Sequence, residues 1–240
     1  MWIPADWPAP PGIVAGCTTR AGGVSAGRYA SLNLGAHTGD DAGAVSENRR
    51  RFRAECGLPA EPLWLTQVHG NEVAIDPAAG AAVDAATTRE ADKVCVVMIA
   101  DCLPVLFVDT SGEQIAAAHA GWRGLASGVL ENTVSTFTCA KSAIMAWLGP
   151  AISQRAFEVG DDVRRAFTRH DSAASAFFVA NGRGRWQADL YGLARLRLGN
   201  AGVTRIFGGG FCTFGDPDRF FSYRRDGQCG RMAGFVFRKP

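Results

Sequence analysis

Apolar positions along the chain fall into short clusters separated by turn residues, with no single long periodic run. Val94–Ala100 reads Val-Cys-Val-Val-Met-Ile-Ala without a polar interruption, which predicts a strand buried on both faces. Ile13–Thr19, Leu63–Val68 and Glu72–Asp76 predict three further strands. Pro104–Asp109 and Gln114–Ala118 flank Thr110-Ser111-Gly112-Glu113 and predict a hairpin. Asp40 or Asp41 can cap a helix running to about Cys56, where Gly57 and Pro59 stop it. Leu125, Val129, Leu130, Val134 and Phe137 share one face at helical spacing, so Leu125–Phe137 predicts one helix. Ala143–Leu148 predicts a strand, Asp161–Arg169 and Asp189–Leu198 predict helices with aspartate caps, and Val203–Phe207 and Ala233–Phe237 predict late strands.

Strands that come in clusters and hairpins favour an α+β class with a mixed sheet over strict βαβ alternation. There is no internal repeat. The most linker-like stretches, Asp76–Ala86 and Ala180–Arg185, are short enough to be surface loops, so residues 1–240 are read as one domain.

Composition narrows the function. The chain is 47% hydrophobic and 20% charged, enough apolar material for a core. Lys+Arg number 25 against 23 Asp+Glu, a net charge of +2, which argues against a nucleic-acid polymer or an anionic membrane as partner. No apolar run reaches the roughly 18 residues of a membrane helix, and the N-terminal segment lacks a signal or transit pattern. The seven cysteines are odd in number and scattered, without a Cys-x-x-Cys pair, which suits reduced thiols and a cytoplasmic location.

Chemistry concentrates at three predicted strand ends. His69 follows Leu63–Val68, Cys102 follows Val94–Ala100 with Asp101 before it, and His119 follows Gln114–Ala118. Two imidazoles and a thiolate suit zinc with a fourth position open, copper being the alternative metal. The same atoms also make a cysteine nucleophile with a histidine base. Asp101 can orient a histidine or act as the acid, though an aspartate there can equally be a turn former. His37, in a polar loop, and His170, at a helix end, have ordinary structural or solvated readings. Arg49, Arg50, Arg51 and Arg53 crowd one helix and cannot all face one way. Arginine forks near the glycine loop after Arg20, or at Arg224, Arg225 and Arg231, make an anion site plausible, but no P-loop is present. Trp122 and Phe220-Phe221-Ser222-Tyr223 are candidates for stacking on a planar ligand.

Several ordered motifs carry a resemblance. They include Thr18-Thr19-Arg20-Ala21-Gly22-Gly23-Val24-Ser25, Ser31-Leu32-Asn33-Leu34-Gly35, Glu47-Asn48-Arg49, Gln67-Val68-His69-Gly70, Ala100-Asp101-Cys102-Leu103-Pro104-Val105, Ala118-His119-Ala120-Gly121-Trp122-Arg123-Gly124, Leu148-Gly149-Pro150-Ala151-Ile152 and Phe221-Ser222-Tyr223-Arg224-Arg225-Asp226. From about residue 12 onward the chain resembles the YfiH-like laccase-domain family, also called polyphenol oxidase-like purine nucleoside phosphorylases. The resemblance implies zinc on His69, Cys102 and His119. It implies phosphorolysis of adenosine, inosine, guanosine or methylthioadenosine to free base and ribose 1-phosphate, with adenosine deamination as a second activity. It also implies a layered sandwich similar to that of toxin deamidases. In this reading Arg49 holds phosphate, Asn33 and Gln67 hydrogen-bond the nucleoside, and the protein is a monomer or small homo-oligomer. A Cys/His amidase or deamidase acting on cell-wall peptide precursors is the alternative, and a metal-dependent binding protein without turnover is the third reading. Multicopper laccase chemistry fits poorly, because four histidines cannot furnish a blue site and a histidine-rich copper cluster together.

Overall fold

The structure is a computed structural model that describes residues 1–239. Its elements, in chain order, begin with β1 (Trp2–Pro4), β2 (Ile13–Thr18), α1 (Ala42–Cys56), β3 (Val73–Ile75), β4 (Ala85–Thr88), β5 (Val94–Ile99), β6 (Leu103–Asp109) and β7 (Ile115–Ala120). They continue with α2 (Trp122–Ser127), α3 (Val129–Ser135), β8 (Ile144–Leu148), β9 (Glu158–Val159), α4 (Asp161–Thr168), β10 (Phe178–Ala180), β11 (Trp186–Ala188), α5 (Leu190–Asn200), β12 (Arg205–Gly208), α6 (Tyr223–Asp226) and β13 (Met232–Arg238).

Two sheets stack face to face. One has the order β1-β2-β13-β5, and the other β12-β8-β6-β7-β4-β3. Only the pairs β12–β8 and β3–β4 are parallel; the other pairs are antiparallel, which makes the class mixed α+β as the clustering of strands predicts. A small third sheet, β10-β11-β9, lies in a region that the sequence pattern left without strands.

Period-2 alternation decides which layer each side chain enters. In β5, Cys95, Val97 and Ile99 point between the two large sheets, where they meet Leu106, Val108, Met145 and Trp147. Val94, Val96 and Met98 point the other way, against Phe52 and Cys56 of α1 and Trp64. On the far side of the six-stranded sheet, Val105, Phe107, Ala118 and Leu148 pack on Leu125, Leu130, Val163 and Leu193 of the remaining helices. The layers therefore run α1, sheet, sheet, helices. The continuous apolar run of β5 is explained by its burial on both faces.

Local signals account for most boundaries. The Asp41 side chain accepts from Ala44 N at 2.8 Å, and Gly57 ends α1 in the left-handed conformation at φ 61°. Other expectations need correction. Leu63–Val68 is not a strand: it contributes one isolated bridge, Leu63 to Cys95. The single helix expected over Leu125–Phe137 is two, α2 and α3, divided at Gly128, whose φ of 101° is incompatible with a continuous helix. Asp161 lies inside α4 behind Gly160, and Asp189 precedes α5 without a side-chain capping bond. β4 occupies part of the stretch that looked like a linker. No helix of the described residues is long and apolar enough to cross a membrane.

Candidate metal centre and its cavity

The β5–β6 connection is a tight turn that joins the two large sheets, and Cys102 sits in it. Asp101, just before it, takes φ 90°, a backbone state uncommon for a side-chain-bearing residue. β7 runs two residues further than its pattern suggested, so His119 lies within the strand and is registered opposite Pro104 of β6. His69 comes from the irregular segment after Trp64 and also has positive φ, 60°. These residues, which the sequence singled out, are brought together: their ligand-capable atoms all lie within 4.8 Å of one another. The two imidazole rings meet edge to face at 4.9 Å. His119 is buried, Cys102 half-buried and His69 exposed, so the group opens to solvent on the His69 side.

Asp84 holds this arrangement. It is fully buried, and its Oδ1 accepts from His69 N at 3.0 Å and faces His119 Nδ1 at 2.8 Å. Its Oδ2 accepts from Val68 N at 3.1 Å and Gly70 N at 2.7 Å. One carboxylate thus fixes the left-handed loop of His69 and the ring of His119, leaving His119 Nε2 for a ligand. Burial alone raises the Asp84 carboxyl, but the bonds from His119, Gly70 and Val68 outweigh it and hold it below its ordinary value. Sequence reasoning missed Asp84, because it lies in an Ala/Gly-rich stretch with no motif around it.

Burial also raises the Cys102 thiol, yet the His119 charge and hydrogen bonds from both histidines bring it down to about 6. The converse holds for His119, where burial is outweighed by Cys102 and Asp84, so its pKa rises. Without a metal the pair therefore favours thiolate and imidazolium; with one, a soft thiolate and two nitrogens form a fitting donor set.

Gly121 completes the cradle. A Cβ there would stand 3.1 Å from Cys102 Sγ, 3.2 Å from His69 Cδ2 and 3.4 Å from His119 Cε1. Its φ of −62° suits any residue, so the constraint is space and not backbone strain. Gly121→Ala is expected to leave the fold intact and to weaken metal binding by about tenfold or more, read by chelator competition. Unchanged affinity would show that the cradle has slack.

The group lies on the wall of a cavity of about 990 Å³. Arg49 and Gln67 line it, but both engage the protein as well. Gln67 Nε2 donates to Met98 O at 2.9 Å and its Oε1 accepts from Met98 N at 2.7 Å, so a side chain takes the place of the strand partner expected over Leu63–Val68. Arg49 Nε donates to Leu34 O at 3.0 Å, and its guanidinium lies 3.9 Å over the Trp64 ring. Asn33 is not on the wall. It is fully buried, and its amide serves Thr38, Asp40, Gly35 N and Arg231 N, which leaves it nothing for a nucleoside. Asp101 lines the cavity, but its oxygens accept from Thr213 Oγ1 at 2.6 Å and Arg224 N at 2.7 Å. It anchors the segment carrying Tyr223 and Arg224. Of the aromatic candidates, Phe220 and Phe221 are core residues and Trp122 packs against the helical layer, whereas Tyr223 is on the wall.

Comparison with known proteins places the chain among relatives matched along nearly its whole length. The profile of the family described as multi-copper polyphenol oxidoreductase laccase matches residues 14–239. The purine nucleoside phosphorylase YfiH of Escherichia coli (strain K12) is 53% identical over 238 residues, covering 98% of each chain. A purine nucleoside phosphorylase of Pseudomonas aeruginosa is 53% identical over 240 residues, again covering 98% of each. The crystal structure of the Neisseria meningitidis protein NMB0706 superposes with a TM-score of 0.94 at 47% identity, covering 100% of this chain and 99% of that one. YlmD from Geobacillus stearothermophilus gives 0.92 at 32% identity, covering 100% and 96%. With sequence and fold matched along nearly its whole length, the chain belongs to the multi-copper polyphenol oxidoreductase laccase family, alongside relatives named purine nucleoside phosphorylase YfiH.

Proposed function

We propose that the protein is a zinc-dependent purine nucleoside phosphorylase that splits adenosine, inosine, guanosine or methylthioadenosine with phosphate, and that it also deaminates adenosine. The observation that carries this reading is the convergence of His69, Cys102 and His119 on the wall of a cavity that also presents arginines. The names of the close relatives support it.

Phosphorolysis forms a bond from a phosphate oxygen to C1′ and breaks the bond from C1′ to the base nitrogen. His69, Cys102 and His119 would hold the metal, zinc by donor type and copper as the alternative. When bound, it supplies a Lewis acid that polarises a substrate or water oxygen. Arg49 offers both terminal nitrogens to phosphate, its plane set by Trp64 and by Leu34 O. Gln67 keeps one N–H and one lone pair beyond its bonds to Met98, enough to fix a nucleoside hydroxyl or ring nitrogen. Tyr223, 59% exposed on the wall, offers a face to the base. Asp101 acts in this reading by positioning Arg224 and the Cys102 turn.

One observation favours a second reading. Asp84, His119 and Cys102 form a relay of carboxylate, imidazole and thiolate, the order a cysteine amidase or deamidase would use. Product analysis separates the two. Adenosine is incubated with the protein, with and without phosphate, and the products are resolved by chromatography. Adenine appearing only with phosphate is expected, and inosine would add deamination. Adenosine unchanged in both samples would overturn the nucleoside reading and turn the search to amide substrates.

A further inference from the structure

His37 reads from sequence as a solvated loop residue, yet it lines the same cavity as the metal-binding group, beside Arg49 and Arg231. The peptide of Leu34 joins the two arginines: its N–H donates to Arg231 O at 3.0 Å and its carbonyl accepts from Arg49 Nε at 3.0 Å. Asn33 braces the same junction, accepting from Arg231 N at 2.8 Å and Gly35 N at 3.0 Å. Arg49 comes from α1, Arg231 from the residue before β13 and His37 from the loop after Leu34, so each is positioned by a separate part of the fold.

All three keep donors free. Among the described residues, no protein acceptor meets the terminal nitrogens of Arg49 or either ring nitrogen of His37. Arg231 uses Nη1 on the carbonyls of Cys229 and Gly230, at 2.8 and 3.1 Å, and keeps Nη2. Neutralising charge is scarce. Among the described residues, the one carboxylate on the cavity wall is Asp101, whose oxygens serve Thr213 and Arg224. Glu61, near Arg49, lies in the adjoining groove and accepts from Trp64 Nε1 at 2.7 Å. Partial burial and the positive charge of Arg231 and Arg49 push the His37 pKa below its ordinary value. A dianion placed there would satisfy both guanidinium groups and draw a hydrogen bond from the ring.

We propose that Arg49, Arg231 and His37 together form an oxyanion subsite, built from elements separate from the metal-binding group, and that its occupant is inorganic phosphate. The proposal rests on the phosphorolysis reading above, and names which residues recognise the co-substrate. It assigns phosphate to the arginine wall and leaves the metal-binding group to the nucleoside.

The test uses the full chain and His37→Ala. Arg231→Lys is read beside it, because Arg231 also ties down two carbonyls and the lysine keeps charge without the planar fork. Initial rates are measured against phosphate and against adenosine, and thermal stability is measured with phosphate or with a nucleoside 5′-monophosphate and no nucleoside. In both variants the KM for phosphate is expected to rise about tenfold or more, while the KM for adenosine moves less than about twofold. The stabilisation by phosphate should shrink in parallel. If the wild-type protein phosphorolyses adenosine and neither variant changes the phosphate KM, the subsite is overturned and the function stands. If no phosphorolysis occurs but phosphate stabilises the wild type and not the variants, the function falls and the subsite stands. Stabilisation by the nucleotide alone would overturn inorganic phosphate as the occupant.

Discussion

Cys102→Ala is expected to lower kcat/KM for phosphorolysis by about a thousandfold or more, because it removes one of the three donors that would hold the metal, whose Lewis acidity when bound is worth several kcal/mol. The fold should survive. Cys102 is half-buried in a turn whose conformation is set by Asp101, and Asp101 keeps its bonds to Thr213 and Arg224 in the variant. The pairing of β6 with β7 does not involve the thiol. Elemental analysis of purified protein should show zinc near one equivalent in the wild type and far less in the variant. A metal-free Cys102→Ala protein with full activity would refute the mechanism. The amidase reading also predicts loss of activity here, so phosphate dependence and metal content, rather than inactivation alone, discriminate.

The second large effect belongs to Asp84→Asn. The carboxylate receives two donors at each oxygen: His69 N and His119 Nδ1 at one, Val68 N and Gly70 N at the other. An amide is acceptor at one end and donor at the other. Whichever way it turns, its NH2 confronts a pair of donors in a fully buried place. Metal affinity should fall about 10- to 100-fold, as for loss of other groups that orient a ligand histidine. Stability should fall by about 1–3 kcal/mol, the cost of leaving buried donors without an acceptor. Chelator competition reads the first and urea unfolding in the presence of chelator reads the second, so the two effects are separable. Wild-type metal affinity in Asp84→Asn would show that the histidines need no orienting carboxylate.

What the sequence disclosed and what it withheld follow from the range of the forces involved. α1 was legible because its stop and start are local: Asp41 caps it and Gly57 releases it. β5 was legible because burial on both faces writes an unbroken apolar run. Leu63–Val68 carries a strand-like pattern, but beyond the single Leu63 bridge its pairing with β5 is made by the Gln67 amide, a substitution that no periodicity records. Leu125–Phe137 keeps one apolar face across Gly128, because α2 and α3 pack on the same sheet even though the chain breaks between them. The three candidate metal ligands were legible as strand-end donors, although two of them lie in other local settings than expected: His69 in a loop and His119 inside a strand. Asp84 and His37 were not legible. Their roles come from neighbours far off in sequence, such as His119 for Asp84 and Arg231 for His37.

The position of β13 carries a consequence for how the chain is made. This late strand lies between β2 and β5, with Ile13 opposite Arg238 and Val94 opposite Phe237. Both faces of the four-stranded sheet draw on it, through Val236 on one side and Phe235 on the other. During synthesis β2 and β5 therefore wait, each with one edge unpaired, until β13 leaves the ribosome. Closing the sheet is a long-range, late event, and a chain cut short before Met232 leaves two apolar strands open to aggregation or to a chaperone.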